Sequence, residues 1–305
     1  MPRRLVDIVN DHCLRQLGTL PNLVSPTGYN DKVNWLKLYD QMPEHIVCSD
    51  KLRAREYVAE RVGTECLLEV YQTARNVDQI AFETLPERYV LKTNHDSGSV
   101  YVVTDRASSM YARRKIRRRL QRTYGVAKGE WAYAYISPLV FAEELMQGPA
   151  TDYKFHCSSG EIRWVQIIAD RAAGKPRETN VDEGYATLRL HFNHENLCVD
   201  EPPVQPATWE KMKEIARTLS RPFRYVRVDL YEYQARPIFG ELTFWPLAGC
   251  CHTKDENAFG QLLNFDTTFK RPMVHDVVER QAVGAVRRLT DGVKRAFARV
   301  HGTAT

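Results

Sequence analysis

One segment of the sequence reads as a β-hairpin with an apolar and a charged side. In FRYVRVDLYEY, apolar and polar residues alternate, and QAR then leads into PIFGELTF. Because successive side chains of a strand point to opposite faces, one face belongs to a core and the other carries charge. A turn centred on Ala235 predicts that Asp229 lies opposite Glu241 and that Arg227 lies opposite Thr243.

The carboxylates of Asp229 and Glu241 repel each other at this pairing unless a positive charge offsets them. A divalent metal ion does so economically, because Mg²⁺ prefers one or two carboxylates together with substrate phosphates. The alternative is a register that slips by one residue, or an ordinary ion pair made by Arg227. The hairpin by itself leaves both interpretations open.

Composition limits the class of protein. The 305 residues are 43% hydrophobic and 27% charged, which excludes disorder and collagen-like repeats, and their number suits one composite enzyme-sized unit or two domains. The formal net charge is +5, and a good share of the excess lies in residues 113–122. Such a cluster suggests a local anionic partner and not a protein that binds nucleic acid throughout.

Cysteines and the N-terminal segment indicate a cytoplasmic protein. The seven cysteines form no CxxC pair, so reduced thiols are expected. Asp7 and Asp11 interrupt the first apolar pattern, which argues against a signal peptide, and no stretch is long enough to span a membrane.

Helices mixed with antiparallel hairpins along the remaining sequence indicate an α+β fold. Residues 88–103 read as strand, polar loop and strand, and residues 152–171 as a hairpin with a Ser-Ser-Gly turn. Residues 172–206 have an irregular composition and read as an ordered excursion or lid. Helices are predicted over residues 5–17, from Asp50 to Gly63, over about 107–124, after Thr208 and over about 274–300.

Three further positions carry groups suited to a nucleotide. Lys92 ends a strand directly before NHDSGS, where it can reach phosphate oxygens that loop amides and hydroxyls surround. Lys154 lies on the polar face of a strand. Glu143 stands where a strand runs into a linker, and a carboxylate there can read an adenine amino group. Each of these features has an ordinary explanation when it is considered alone: the loop after Lys92 could be a plain hairpin turn, and Lys154 could be a solvated lysine.

In this order the pieces resemble the ATP-grasp superfamily, and within it the teichuronopeptide-biosynthesis (TupA-like) branch. The resemblance runs from about Tyr29 to Leu263 and rests on LKTNHDSGSV, AEELM…DYKFHCSSGEI and RVDLYEY…FGELTFWPLAG. It implies two α+β subdomains whose antiparallel sheets clasp ATP between them. The implied segments are an N-terminal helical segment (1–80), a small subdomain with a phosphate-covering loop (81–142) and a large subdomain with the metal site and C-terminal helices (143–305).

The resemblance also implies a role for each matching residue. Binding of ATP falls to Lys92 and Lys154 at the triphosphate, Ser97, Gly98 and Ser99 in the covering loop, Glu143, Leu145 and Met146 at the adenine, and Asp152 at the ribose. Metal ligation falls to Asp229, Glu241 and Thr243, the last at a position where relatives usually have Asn. Neutralisation of the γ-phosphate and the acyl phosphate falls to Arg171 and Arg227.

The implied activity is that of an ATP-dependent and Mg²⁺-dependent carboxylate-amine ligase that forms an amide through an acyl phosphate. The expected partners are a carboxylate of a small molecule or saccharide, such as a uronic acid or amino acid of a surface polymer, and an amine, with no nucleic acid. The sequence offers no Ser/His/Asp or Cys/His arrangement, and this chemistry requires no side-chain nucleophile. A nucleotide-sugar glycosyltransferase, a small-molecule kinase and a non-catalytic polyanion-binding module remain alternatives.

Overall fold

The computed structural model of the protein describes residues 4–148, 151–170 and 176–271. Helices and strands of this part form two sheets with helices packed around them. The helices are α1 (Leu5–Leu17), α2 (Tyr29–Tyr39), α3 (Pro43–Ser49), α4 (Arg53–Val62), α5 (Arg106–Arg119), α6 (Trp209–Ser220) and α7 (Glu256–Leu262). The strands are β1 (Val70–Ala74), β2 (Tyr89–Thr93), β3 (Val100–Val103), β4 (Val140–Glu143), β5 (Asp152–Ser158), β6 (Glu161–Ala169), β7 (Arg177–Val181), β8 (Leu197–Cys198), β9 (Val226–Tyr233) and β10 (Arg236–Thr243).

Capping residues mark the end of α1 and both ends of α4. Gly18 ends α1 with a φ of +73°, a left-handed conformation that glycine adopts readily. Before α4, the carboxylate of Asp50 accepts hydrogen bonds from the backbone N–H groups of Leu52 (3.0 Å) and Arg53 (3.4 Å), and Gly63 follows the last turn. Both predicted helices are therefore confirmed.

The small sheet has the strand order β1-β4-β2-β3, and all of its neighbouring strands are antiparallel. One face packs on α5 through buried residues that include Leu91, Ala142 and Ile116. The other face carries Lys92 and Glu143. β2 and β3 confirm the strands predicted in residues 88–103. The domain limits drawn from the sequence remain a prediction, and β1 joins this sheet from a position before residue 81.

The predicted extension of the basic helix to Tyr124 is wrong, because α5 ends at Arg119. The guanidinium of Arg119 lies 3.5 Å from the buried carboxylate of Asp96, and Leu120 packs on the small core. The chain then turns at Gly125, whose φ is +77°, and the ring of Tyr124 packs edge-on against Tyr133. Tertiary contacts therefore end this helix earlier than its composition indicates.

The large sheet has the order β10-β9-β5-β6-β7-β8 and is antiparallel except for the β7–β8 pair. Ser159 and Gly160, at φ +51° and +86°, close the β5–β6 hairpin, which confirms that hairpin. On one face α6 packs with Trp209, Met212 and Leu219 against the sheet core. Thr208 precedes α6 as predicted, but its hydroxyl donates to Glu232 (2.9 Å) and makes no capping bond.

Within the ordered excursion predicted over residues 172–206, the strands β7 and β8 extend the large sheet. The buried carboxylate of Glu178 holds this segment in place. It accepts hydrogen bonds from the backbone N–H of Phe192 (2.6 Å) and of Asn193 (3.1 Å), and from the amides of Gln166 (2.9 Å) and Asn196 (2.8 Å). These hydrogen-bond partners lie 12 to 18 positions from Glu178 in the sequence. Because a buried carboxylate needs such partners, these bonds hold the excursion in one conformation, and the local composition does not reveal them.

Among the described residues, no helix has the length and apolar composition that a membrane span requires. The terminal helix predicted over about residues 274–300 lies outside the described residues.

Candidate active site

A row of polar residues crosses five neighbouring strands of the large sheet, on the face opposite α6. The successive Cα partners are Glu241, Asp229, Lys154, Gln166 and Asn180. Partners across a ladder have their side chains on the same face, so carboxylates, an ammonium and two amides share one surface. The acidic end of the row lies on the β9–β10 hairpin.

That hairpin pairs Asp229 with Glu241 and Arg227 with Thr243, which confirms the predicted opposition. The reason differs from the predicted one. Two residues with positive φ, at 234 and 235, form the turn, and unbroken pairing from it would place Asp229 opposite Gly240. The register shifts between residues 239 and 241, so a bulge at Gly240 restores the opposition.

The charge of Asp229 is offset by side chains of the sheet itself. Its carboxylate accepts hydrogen bonds from Arg227 Nε (2.6 Å) and Arg227 Nη2 (2.8 Å) and forms an ion pair with Lys154. The ordinary ion pair of Arg227, one of the interpretations that the hairpin leaves open, is therefore present, and the metal site at this hairpin remains a prediction. Burial acts to raise the pKa of Asp229, but Arg227 and Lys154 outweigh it, so the pKa lies below its usual value.

Oxygen ligands nevertheless gather at this position. The hydroxyl of Thr243 donates to Glu241 (3.1 Å), and Arg227 Nη2 lies 3.1 Å from Thr243 Oγ1 and 3.4 Å from Glu241 Oε1. The side chain of Glu241 is 40% exposed, so it is open to a ligand. Within residues 4–148, 151–170 and 176–271, no group of three or more His, Cys, Asp or Glu could hold a metal ion. The donor set of Asp229, Glu241 and Thr243 fits Mg²⁺ in kind, provided that Lys154 releases Asp229 and phosphates complete the shell.

Lys92 and Glu143 form an ion pair on the open face of the small sheet. They come from neighbouring strands, β2 and β4, and their side chains are 24% and 7% exposed. The resemblance assigns them to opposite ends of ATP, the triphosphate and the adenine. The structure places the two groups in contact with each other. This ion pair must therefore break before Lys92 can bind the triphosphate and Glu143 the adenine.

The loop after Lys92 is closed on itself. The buried carboxylate of Asp96 accepts hydrogen bonds from the hydroxyls of Thr93 and Ser99. Asn94 anchors the loop to the chain before β4, accepting from the backbone N–H of Leu139 (2.7 Å). Of the three predicted covering residues, Ser97 and Gly98 are exposed, whereas Ser99 is buried. Gly98 has a φ of +77° with open space around it, which leaves the tip accessible to a ligand.

Lys51 is a candidate site residue that sequence reasoning missed. It precedes α4, and its ammonium donates to the backbone carbonyl of Asp96 in the loop. Burial lowers the pKa of Lys51, and the charges of Glu241 and Asp96 oppose that effect. The side chain therefore contacts the loop of the small sheet, and its charge interacts with that of Glu241 at the acidic end of the large sheet. The available signal was the Ser49-Asp50-Lys51 segment, which places a lysine directly at the capped start of a helix.

The sequence matches the profile of the TupA-like ATP-grasp family over residues 31–263. This chain belongs to that family. Its small and large sheets are the two halves of the ATP-grasp fold, and the α+β prediction is confirmed. No curated protein matches the sequence.

Solved structures of ATP-grasp ligases have similar folds. They include a D-alanine–D-alanine ligase from Helicobacter pylori, with 14% identity over 78% of this chain and 69% of that chain and a TM-score of 0.49. The ligase of the same name from Bacillus anthracis, complexed with ATP, has 15% identity over 76% of this chain and 61% of that chain, at a TM-score of 0.41. The ATP-grasp ligase PsnB, complexed with minimal precursor, Mg and ADP, has 10% identity over 76% of this chain and 64% of that chain, also at 0.41. The chain thus spans about three fifths of the Bacillus anthracis ligase, and the likeness concerns the fold alone.

Of the remaining predicted residues of this ATP-grasp chain, Asp152 lies beside the row. The carboxylate of Asp152 is 3.6 Å from Lys154 Nζ, and its side chain is buried. Leu145 and Met146 are half-buried in the segment that follows β4. Arg171 lies outside the described residues.

The arginines of α5 are partly used within the small subdomain. Arg113 and Arg117 lie 3.8 and 2.6 Å from the carboxylate of Asp78, and Arg119 pairs with Asp96. Arg114 and Arg118 are exposed on the outer side. Part of the positive charge of this helix is therefore paired with carboxylates of the small subdomain, including Asp96 in the loop that follows Lys92.

His156 is a buried hydrogen-bonding residue next to Lys154 on β5. Its ring stacks on Trp164, with centroids 4.0 Å apart, and Nδ1 lies 2.8 Å from the hydroxyl of Tyr225. Burial, and then the charges of Arg227 and Lys154, lower the pKa of His156 well below its usual value. The imidazole is therefore neutral. His156 pairs with Arg227 across β5 and β9, on the same face of the sheet as Lys154.

Proposed function

We propose that this protein is an ATP-dependent ligase that joins a carboxylate to an amine and releases ADP and phosphate. The observation that carries this proposal is a set of cations and acids on the two sheets. On the large sheet, Lys154 and Arg227 pair with Asp229, and Arg227 also pairs with Glu241. Lys51 binds the loop that follows Lys92 on the small sheet, and its charge interacts with those of Glu241 and Lys92. A triphosphate requires such cations, because a carboxylate must approach a polyanion during the reaction.

Each lysine of the proposed site already has an anionic or carbonyl partner. Lys154 contacts Asp229, Lys92 contacts Glu143, and Lys51 contacts the carbonyl of Asp96. We expect ATP to replace these partners with phosphate oxygens. Release of Lys154 would free one side of Asp229, which then holds Mg²⁺ together with Glu241 and Thr243. When bound, Mg²⁺ supplies Lewis-acid stabilisation of the charge that develops on the phosphate oxygens.

In the proposed reaction, a carboxylate oxygen of the substrate forms a bond to the γ-phosphorus while the bond from phosphorus to the ADP oxygen breaks. The amine then attacks the acyl carbon, phosphate leaves with the bonding electrons, and the nitrogen loses a proton. Arg227 remains protonated, because Asp229 and Glu241 outweigh the effect of burial and raise its pKa. A permanent cation at that point can neutralise both the γ-phosphate and the acyl phosphate.

The proposed substrate is a uronic-acid or amino-acid carboxylate of a surface polysaccharide or peptide, and the proposed location is the cytoplasm. Membership of the TupA-like family supports the proposed substrate class. All seven cysteines are free thiols in the structure, which suits a reducing compartment.

The decisive experiment supplies ATP, Mg²⁺ and pairs of carboxylates and amines, and measures ADP, phosphate and the amide by mass spectrometry. We expect the three products in equal amounts, and none of the amide when any component is omitted. A stable phosphorylated product without amine would identify a kinase. Turnover of a nucleotide sugar with no ATP requirement would identify a glycosyltransferase and overturn the proposal.

A further inference from the structure

Two buried cysteine side chains meet outside the proposed site. Cys13 lies on α1, and Cys250 follows the turn Pro246–Gly249 after β10. Their sulfurs are 3.7 Å apart, and the two residues are only 1% and 6% exposed. A disulfide requires a separation of about 2.05 Å, so a small side-chain movement brings the sulfurs to bonding distance.

A buried lysine lies beside this pair. The ammonium of Lys37 donates to the side-chain oxygen of Asn34 (3.0 Å) and to the backbone carbonyls of Lys128 (3.0 Å) and Ala248 (2.6 Å). Its positive charge also acts on both sulfurs. A cation next to a thiol favours the thiolate, which is the nucleophilic form.

A hydrogen bond and a nearby charge distinguish Cys13 from Cys48 and Cys157. The hydrogen bond from Cys250 lowers the pKa of Cys13, and Lys37 adds to this effect against the opposing effect of burial. By contrast, burial raises the pKa of Cys157 to about 12 and of Cys48 to about 12. Oxidation follows thiolate character, so Cys13 is the thiol on which it should begin.

We propose that Cys13 and Cys250 are an oxidation site at which a hydroperoxide forms a reversible disulfide. The thiolate of Cys13 attacks one oxygen of the peroxide, the O–O bond breaks, and a sulfenic acid forms with release of hydroxide. The thiol of Cys250 then attacks the sulfur of that sulfenic acid, the S–O bond breaks and water leaves. Overall, two thiols lose two electrons and two protons, and one hydrogen peroxide is reduced to two waters.

The bond would tie α1 to the loop that follows the acidic hairpin. The two cysteines are 237 positions apart, and α1 precedes the stretch that matches the family. Closing so long a loop restricts the unfolded chain, so the oxidised protein should melt at a higher temperature. Because both sulfurs are buried, peroxide reaches them when α1 opens locally, and dilute denaturant should therefore speed the reaction.

The test treats the full chain with hydrogen peroxide and then maps its peptides by mass spectrometry without reduction. We expect a Cys13–Cys250 cross-link, a loss of two hydrogens in the intact mass, a higher melting temperature, and reversal of all three by dithiothreitol. Diamide should give the same cross-link, because it oxidises dithiols directly.

The adjacent residue provides a matched control. Cys251 donates to the carbonyl of Phe192 (2.8 Å), so Cys251→Ser should leave the cross-link intact, whereas Cys250→Ser and Cys13→Ser should each abolish it. If Cys250→Ser does not fold, Cys13→Ser gives the same comparison. Wild-type protein that keeps both thiols reduced in either oxidant, or that oxidises Cys13 to sulfinic acid without a cross-link, would overturn the proposal.

Discussion

The ammonium of Lys154 forms a buried ion pair with the carboxylate of Asp229 across two neighbouring strands, β5 and β9. On its other side Asp229 is held by two hydrogen bonds from Arg227. One carboxylate therefore has two cationic partners, and removal of either leaves it paired with the other. This redundancy lets Lys154 turn to a phosphate without exposing an uncompensated buried charge.

Replacement of Lys154 by methionine tests the role of its ammonium. We expect ATP turnover to fall by roughly 10²-fold to 10³-fold, the range for removal of one group that stabilises charge in a transition state. The variant should stay folded, because Arg227 still pairs with Asp229. Thermal shifts should show that ATP stabilises the wild type but not the variant. Lys211→Met, at an exposed lysine that pairs with Glu214 on α6, is the control; full turnover in Lys154→Met would refute the assignment.

Thr243 offers a graded test of the metal site. Thr243→Val removes the hydroxyl that accepts from Arg227 and donates to Glu241, and it should raise the Mg²⁺ concentration needed for half-maximal turnover. Thr243→Asn supplies an amide oxygen and should lower that concentration. A loss of about 1 kcal/mol in stability is expected for Thr243→Val, from the two hydrogen bonds. An identical Mg²⁺ requirement in all three proteins would exclude Thr243 as a ligand.

Gly240 sets the register on which the acidic pair depends. A Cβ added there would lie 2.8 Å from the ring of Tyr231 and 3.1 Å from the carbonyl of Asp229. Gly240→Ala should therefore cost about 1 to 3 kcal/mol and reduce ATP turnover as well, because the bulge carries the Asp229–Glu241 opposition. In Gly184→Ala, the new Cβ meets only the side-chain oxygen of Asp182, at 3.3 Å, and both quantities should change little. Unaltered melting and turnover in Gly240→Ala would contradict the bulge argument.

The buried carboxyl of Glu130 should make stability depend on pH. Burial raises its pKa to about 7, although Lys37 and Lys128 act against this, and Glu130 Oε2 has no hydrogen-bond partner in the described part of the chain. The folded state therefore binds the proton more tightly than the unfolded state, whose Glu has a pKa of about 4.3. Stability falls as pH rises between these two values and levels off above the folded one.

Glu130→Gln should remove this dependence. The variant should be more stable than the wild type at pH 8, by an amount on the order of 3 kcal/mol, with the difference shrinking towards pH 4. Urea unfolding across this pH range measures it, and Glu60→Gln on an exposed helix surface should show no such trend. A constant difference between Glu130→Gln and wild type at all pH values would show that Glu130 does not titrate in this range.

Patterns that arise within a few residues could be predicted from the sequence. Asp50 and Gly63 mark the ends of α4 because capping acts on the nearest backbone groups. Alternation in β9 assigns Arg227 and Asp229 to one face because a strand has a period of two residues. The family also followed from the sequence, since its motifs occur in order along the chain.

Contacts between distant segments were decided by the tertiary structure. Lys154 and Asp229 are 75 positions apart, and Lys92 and Glu143 are 51 apart. No local pattern in the sequence therefore indicates that each lysine forms an ion pair with that carboxylate. The same holds for Glu178, whose partners order the excursion, and for Cys13 and Cys250. The sequence by itself determined which charges and faces exist. Only packing decided which charge meets which, because electrostatic energy depends on separation and burial that the folded chain alone sets.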